Sequence, residues 1–362
     1  MEFGIFHEFP CPEGQSEAAA FAESFEQVDA AERWGLDVVW LAELHVAPGQ
    51  SVLSAPLIVT SAIAARTSRI RIGIAVQVLP LCHPLRLAEE VATVDHISRG
   101  RLIFGVGRSG FPRTYEAYGV PYAESRERFA ETLAILRLAW TEPRFSYVGK
   151  YHSFRDVCLV PKPYQHPHPP LRVAATSADT FAGIGALGFP IFCAVRLGTL
   201  SELAPNIRAY REAYAAAGHP GAGEVFLRVP LYVAETADQA RAEPEASVMS
   251  FYRYLGQQLE ESASLAGARA IEQRAERGQR LLSIGYDEVL RDKVIVGTPE
   301  AVAERLNGLK AELGLDGILA EMNCGRMIPH ARVMRSLQLL CQEVMPRVRR
   351  ADGEGRPAVA SA

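Results

Sequence analysis

Residues 69–106 read RIRIGIAVQVLPLCHPLRLAEEVATVDHISRGRLIFGV. Arg69–Val78 is a short apolar, β-branched run. Pro84–Ser98 has helical periodicity, with Glu89, Glu90 and Asp95 expected on its wet side, and Arg101–Val106 is a second apolar run. Strand, helix and strand in this order predict a βαβ unit, and hence a parallel sheet. The same alternation runs outward in both directions. Strand-like runs occur at Glu2–Phe6, Asp37–Leu41, Leu171–Ala175, Pro190–Val195, Val225–Ala234 and Asp316–Ala320. Helical stretches at Ser16–Trp34, Ser51–Arg66, Tyr122–Trp140, Ala178–Leu187, Leu200–Ala217, Pro299–Leu313 and Pro329–Val344 separate or follow them. Eight such strands predict an α/β fold, a (β/α)8 TIM barrel. An open doubly wound sheet with a second domain is the competitor. The lack of a Ser/Gly-rich or Pro-rich linker favours a single barrel domain over 1–348.

Two segments exceed the repeat. Phe145–Pro170, rich in Pro, His and aromatic residues, predicts an excursion after the fourth helix. Residues 236–296 form an insertion after strand seven, with an acidic and arginine-rich helical region at Glu260–Arg280. An insertion on that side of a barrel reads as an active-site lid or, equally, as a solvated helix pair. The tail 349–362 is expected to be disordered.

Composition narrows the function classes. The 362 residues are 48% hydrophobic and 22% charged with a net charge of −4, which argues against a dedicated nucleic-acid binder. Met1-Glu2-Phe3 lacks the basic start of a signal peptide, and the longest uncharged run, Phe181–Val195, is too short and too interrupted by Gly and Pro for a membrane span. Six scattered cysteines without a C-x-x-C pair read as reduced thiols, so a soluble, cytoplasmic protein is expected.

In a barrel, chemistry gathers at the C-terminal strand ends. Those positions hold His7 and Glu8, Glu43 and His45, Gln77, Arg108 and Ser109, Thr176 and Ser177, Arg196, Glu235, and Glu321 with Asn323. Their convergence predicts an enzyme. Gly105–Gly110 matches G-x-G-x-x-G, but Phe111-Pro112 follow where a dinucleotide-fold helix should already run, and three βα units precede it. The loop reads instead as one that lets an anion approach, with Arg108 supplying charge. Ser125-Arg126 and Thr176-Ser177 with Thr180 open neighbouring helices. Singly these hydroxyls would be N-caps; together with two arginines they suit a phosphate. No metal site is expected, because the histidines form no H-x-x-x-H pair. Glu43 and His45, two residues apart past a strand, are the candidate catalytic pair.

The segments VWLAELH at 39–45, IGIAVQVLP at 72–80 with His83-Pro84, DHISRGR at 95–101, Gly105–Arg108, Ser125-Arg126, AATSADT at 174–180, VGTPE at 296–300 and Val344-Met345-Pro346 together resemble the bacterial luciferase-like flavin monooxygenases. The resemblance implies the same (β/α)8 barrel. It implies that Arg108, Ser125, Arg126, Ser177 and Thr180 lie at the FMN phosphate with Thr176 beside them in the cofactor site, that Ala75-Val76 is a non-proline cis peptide under the flavin ring, and that 236–296 is a lid. It implies reduced FMN from a separate flavin reductase, dioxygen, a flavin 4a-hydroperoxide, a small organic substrate and a homodimer. Three positions depart from the luciferase catalytic chain: Leu44 stands in place of a histidine, Gly107 in place of a cysteine and Thr176 in place of a glutamate. A deazaflavin oxidoreductase on the same barrel and a non-catalytic partner subunit are the alternatives.

Overall fold

A computed structural model of the chain describes residues 1–176, 178–195, 198–263 and 271–354. Its strands are β1 (Glu2–His7), β2 (Val38–Leu41), β3 (Arg71–Val78), β4 (Leu102–Gly107), β5 (Phe145–Val148), β6 (Ser153–Val157), β7 (Leu171–Ala174), β8 (Ile191–Ala194), β9 (Val225–Val233), β10 (Ile295–Gly297) and β11 (Gly317–Glu321). The helices are α1 (Glu17–Arg33), α2 (Pro56–Arg66), α3 (Pro84–Ser98), α4 (Pro112–Ala117), α5 (Ser125–Thr141), α6 (Ala178–Ala186), α7 (Leu203–Ala216), α8 (Ala237–Ala242), α9 (Glu245–Ala263), α10 (Ile271–Ser283), α11 (Tyr286–Asp292), α12 (Pro299–Leu313), α13 (His330–Leu339) and α14 (Met345–Glu354).

The ring β1-β2-β3-β4-β7-β8-β9-β11 closes on itself with every pairing parallel. The expected (β/α)8 barrel is therefore present. Its strands are apolar runs because closure and the surrounding helices leave them no wet face; β2 and β4 are buried throughout. The Trp40 indole fills the centre, which requires bare backbone opposite it. A Cβ on Gly73 would lie 2.1 Å from the Trp40 ring, and one on Gly4 would lie 2.6 Å from it.

The helices start and stop where local chemistry directs. Ser16 caps α1 by accepting from the Ala19 N–H, and Thr298 caps α12 with Pro299 at the first helical position. Some expectations are corrected. The second helix starts at Pro56 rather than Ser51, which is bridged to Pro10 in the preceding loop. Asp95 is fully buried rather than wet, because its carboxylate accepts from Gln165 N–H and Nε2 at 2.8 and 2.7 Å. The expected tail is helical to Glu354, with Arg349 paired to Asp37 at 2.8 Å; 355–362 lie outside the described residues.

The excursion after α5 is an antiparallel β5–β6 hairpin. The insertion holds α8 to α11, and its end pairs as β10 beside the C-terminal half of β9. Helices α9 and α10 share a small core of their own, including Val248, Phe251, Tyr252, Leu255 and Leu281. They approach closely because Gly256 and Gly278 face each other: a Cβ on Gly256 would meet the Gly278 carbonyl at 2.9 Å. Among the described residues no helix is long and apolar enough to cross a membrane.

Candidate active site

At the C-terminal end of the barrel the segment after β2 places Glu43 and His45 against the end of β3. Glu43 Oε1 lies 2.7 Å from His45 Nε2, and Oε2 accepts from Gln77 Nε2 at 2.6 Å and the Val78 N–H at 2.7 Å. The carboxylate side chain is 3% exposed and the imidazole 9%. A buried carboxylate needs such donors to be retained. Gln77 keeps its Oε1 buried and without a partner. Nearby, burial, with a contribution from Glu43, pushes the Cys82 thiol up to about 12; it is a neutral wall rather than a nucleophile. The peptide between Ala75 and Val76, two residues before Gln77, is cis.

Arg108 leaves β4 and its Nη1 donates to Ser125 Oγ at 3.3 Å. The helix N-cap is Glu124, so the buried Ser125 hydroxyl is not the cap its position suggests but the partner of Arg108. Arg126 reaches across to Asp179 at 2.8 Å, linking the starts of α5 and α6. Both partners of that pair are more than half exposed, which leaves it weak and exchangeable. Thr180 sits on the first turn of α6, and Thr176 is exposed just before it. Ser177 and Arg196 lie outside the described residues. Arg108 thus pairs with Ser125 and Arg126 with Asp179 at the starts of α5 and α6, with Thr180 on the first turn of α6. Pro112, read as a break, is the first residue of α4.

The departures from the luciferase pattern have packing reasons. A Cβ on Gly107 would lie 2.4 Å from Val76 Cγ2, so this position is closed to a side chain while Val76 keeps its place. Leu44 packs against the core. Glu235 turns outward to Arg335 and is absent from the mouth. Asn323 spends its amide on the Ile328 backbone, holding its own loop closed.

Three residues were not legible in the sequence. Tyr118, just past α4, places its hydroxyl 2.9 Å from His45 Nδ1. Arg228, midway along β9, is held by Glu321 at 2.9 Å and Glu8 at 3.2 Å and lies 3.5 Å over the Phe6 ring. Burial disfavours its charge, but Glu321 and Glu8 outweigh that and raise the guanidinium above its ordinary value. Phe251 of α9 joins Arg228, Pro230, Ala194 and Glu321 around a cavity at the mouth. A second cavity, lined by Phe6, His7, Glu8, Met322 and Arg326, lies on the other side of Glu321. An arginine amid an apolar run gives no signal until the carboxylates of β1 and β11 are brought beside it.

Residues 1–317 match the family model described as luciferase-like monooxygenase. The chain belongs to the luciferase-like monooxygenase family. It is 26% identical to the oxygenase component of a flavin-dependent trigonelline monooxygenase from Acinetobacter baylyi, over all of this chain and 99% of that one. A solved monooxygenase from Streptomyces bottropensis is 27% identical with a TM-score of 0.78, covering 96% of this chain and 99% of the other. The oxygenating constituent of 3,6-diketocamphane monooxygenase from Pseudomonas putida, solved in complex with FMN, has a TM-score of 0.81 at 21% identity over 96% and 98% of the chains, a likeness of fold. The chain spans about half the length of two uncharacterised Sinorhizobium fredii relatives, at 32% identity over 53% of this chain and 56% of the first, and 35% over 49% and 50% for the second.

Proposed function

We propose that this family member is the oxygenase component of a two-component system, taking reduced FMN from a separate flavin reductase and using dioxygen to oxygenate a small organic substrate. The carrying observation is the placement of Arg108, Ser125, Arg126 and Thr180 at two helix starts, together with the cis Ala75-Val76 peptide and the buried Glu43–His45 pair. The donor set fits the cofactor chemically. A guanidinium, hydroxyls and helix N-termini suit a phosphate monoester, and the unpartnered Gln77 Oε1 suits a ring that carries an N–H donor. Ser177 belongs to the same proposed phosphate set with Thr176 beside it, and Ala75 and Val76 are under the ring.

When bound, reduced FMN supplies the two electrons that let dioxygen give one oxygen to substrate and one to water. The protein's part is to bind, orient and exclude water. Arg108 and Arg126 hold the phosphate, Arg126 exchanging Asp179 for it. Glu43, with one oxygen held by Gln77 and Val78 and the other facing Nε2, orients His45, which can hold or pass a proton at the mouth. The α9–α10 pair, with Phe251 over Arg228, covers the substrate space. The six free cysteines, none in a disulfide, accord with a reducing, cytoplasmic setting. A homodimer is part of the proposal, and nucleic acid, metal and membrane are not.

Stopped-flow mixing of the protein–reduced FMN complex with oxygen tests this reading. Protein-bound reduced FMN is expected to reoxidise in resolved phases, slower than the free cofactor, with hydrogen peroxide released only in the last of them. Tight binding with a single unprotected phase, or tighter binding of a reduced deazaflavin than of reduced FMN, would overturn it.

A further inference from the structure

Helix α4 carries Tyr115, and its C-cap is Tyr118, three residues on. The fully buried Tyr115 donates its hydroxyl to the Arg108 carbonyl, which anchors the helix to the loop after β4. Tyr118 closes the helix as its C-cap residue. Its hydroxyl is 2.9 Å from His45 Nδ1, and the two rings meet edge to face with centroids 4.9 Å apart.

We propose that Tyr118 is a positioning residue that fixes the tautomer and orientation of His45. The argument is one of donors and acceptors. Glu43 Oε2 is taken by Gln77 and Val78, so Oε1 is the oxygen that faces His45 Nε2. An ionised carboxylate only accepts, so the proton of the neutral imidazole sits on Nε2 and the lone pair on Nδ1. A lone pair there needs a donor, and the Tyr118 O–H is the one in reach. With the imidazole neutral, one proton arrangement satisfies all three groups: Tyr118 O–H to Nδ1, and Nε2–H to Glu43. Burial and the Glu43 charge raise the Tyr118 phenol above its ordinary value, so it stays a donor. Tyr118 is 47% exposed while the pair behind it is buried, so its ring forms the outer wall of an otherwise closed network. This inference rests on the oxygenase reading for its catalytic meaning, but not for its geometry.

Tyr118→Phe keeps the ring and removes the hydroxyl. Nitrogen NMR of flavin-free, histidine-labelled protein reads the geometry, with His45→Gln identifying the resonance. Wild type should show His45 protonated on Nε2, and Tyr118→Phe should move the Nδ1 resonance and admit the other tautomer. When the reduced-FMN complex is mixed with oxygen, the rate of the last reoxidation phase should change about tenfold, with the FMN dissociation constant within about twofold of wild type. Identical nitrogen shifts in wild type and Tyr118→Phe would overturn the proposal. So would moved shifts with an unchanged reoxidation rate, since a positioning residue must alter the step that His45 serves. A wild-type protein that never oxygenates, though flavin binds, would instead defeat the oxygenase reading, and the nitrogen shifts would still decide whether Tyr118 sets the tautomer.

Discussion

Glu43 shows how much one side chain carries at this mouth, since its two oxygens meet donors from two side chains and one backbone N–H. In Glu43→Gln one amide oxygen remains for three donors, so either His45 takes its other tautomer or a buried donor is left unpaired at about 1–3 kcal/mol. Urea unfolding should show that loss, together with lower turnover. Arg108 separates binding from fold: Arg108→Ala should weaken FMN about 10–100-fold, the worth of a charge-assisted hydrogen bond, and leave riboflavin affinity unchanged by fluorescence titration. His7 gives a pH signature. Burial first, against a hydrogen bond donated to Gln27 Oε1, holds its imidazole down at about 4 from an ordinary 6.5. The unfolded chain therefore takes up this proton first as pH falls. The contribution is complete above pH 6.5 and is lost between 6.5 and about 4, about 3 kcal/mol in all. Denaturation at stepped pH should show a shallower acid decline in His7→Gln. Arg108 and Glu43 were legible because they follow strands. His7 was legible as a rim residue, but its burial under Gln27 and α13 was not.

At the scale of elements the insertion is the informative part. The close crossing of α9 and α10 depends on Gly256 facing Gly278, where an added Cβ would meet backbone on either side at 2.9–3.0 Å. Gly256→Val must push the helices apart, since backbone cannot swing aside as a side-chain tip can. Limited proteolysis should then cut within 236–296 while the barrel resists. The polar composition of Glu260–Arg280 suggested a surface helix pair or lid. It gave no sign that the preceding turns of α9 carry a core of their own, because that core needs Leu281 and Val289 from later helices. Helix α4 was missed for a related reason. Six residues opening with proline make too short a period to read, and its fixed points are the Arg108 carbonyl and the distant His45.

The whole molecule is a closed ring around Trp40, which sits on Gly4 and Gly73 with its ring 5.0 Å from that of Phe192. Gly73→Ala places a methyl where the indole already lies, and overpacking of this kind costs about 1–3 kcal/mol or more. Thermal unfolding should report a lower, still cooperative transition, and Trp40 emission should shift as the ring is displaced.

Periodicity by itself determined the eight strands, their parallel order and the loops that carry Glu43, His45 and Arg108, because each is a local property of apolar spacing and strand ends. Only the tertiary structure decided which charges share a site. Arg228 between Glu8 and Glu321, Tyr118 on His45 and Ser125 on Arg108 join segments 17 to 220 residues apart. Barrel closure brings such segments together, and a local sequence pattern carries no trace of the partner that burial will supply.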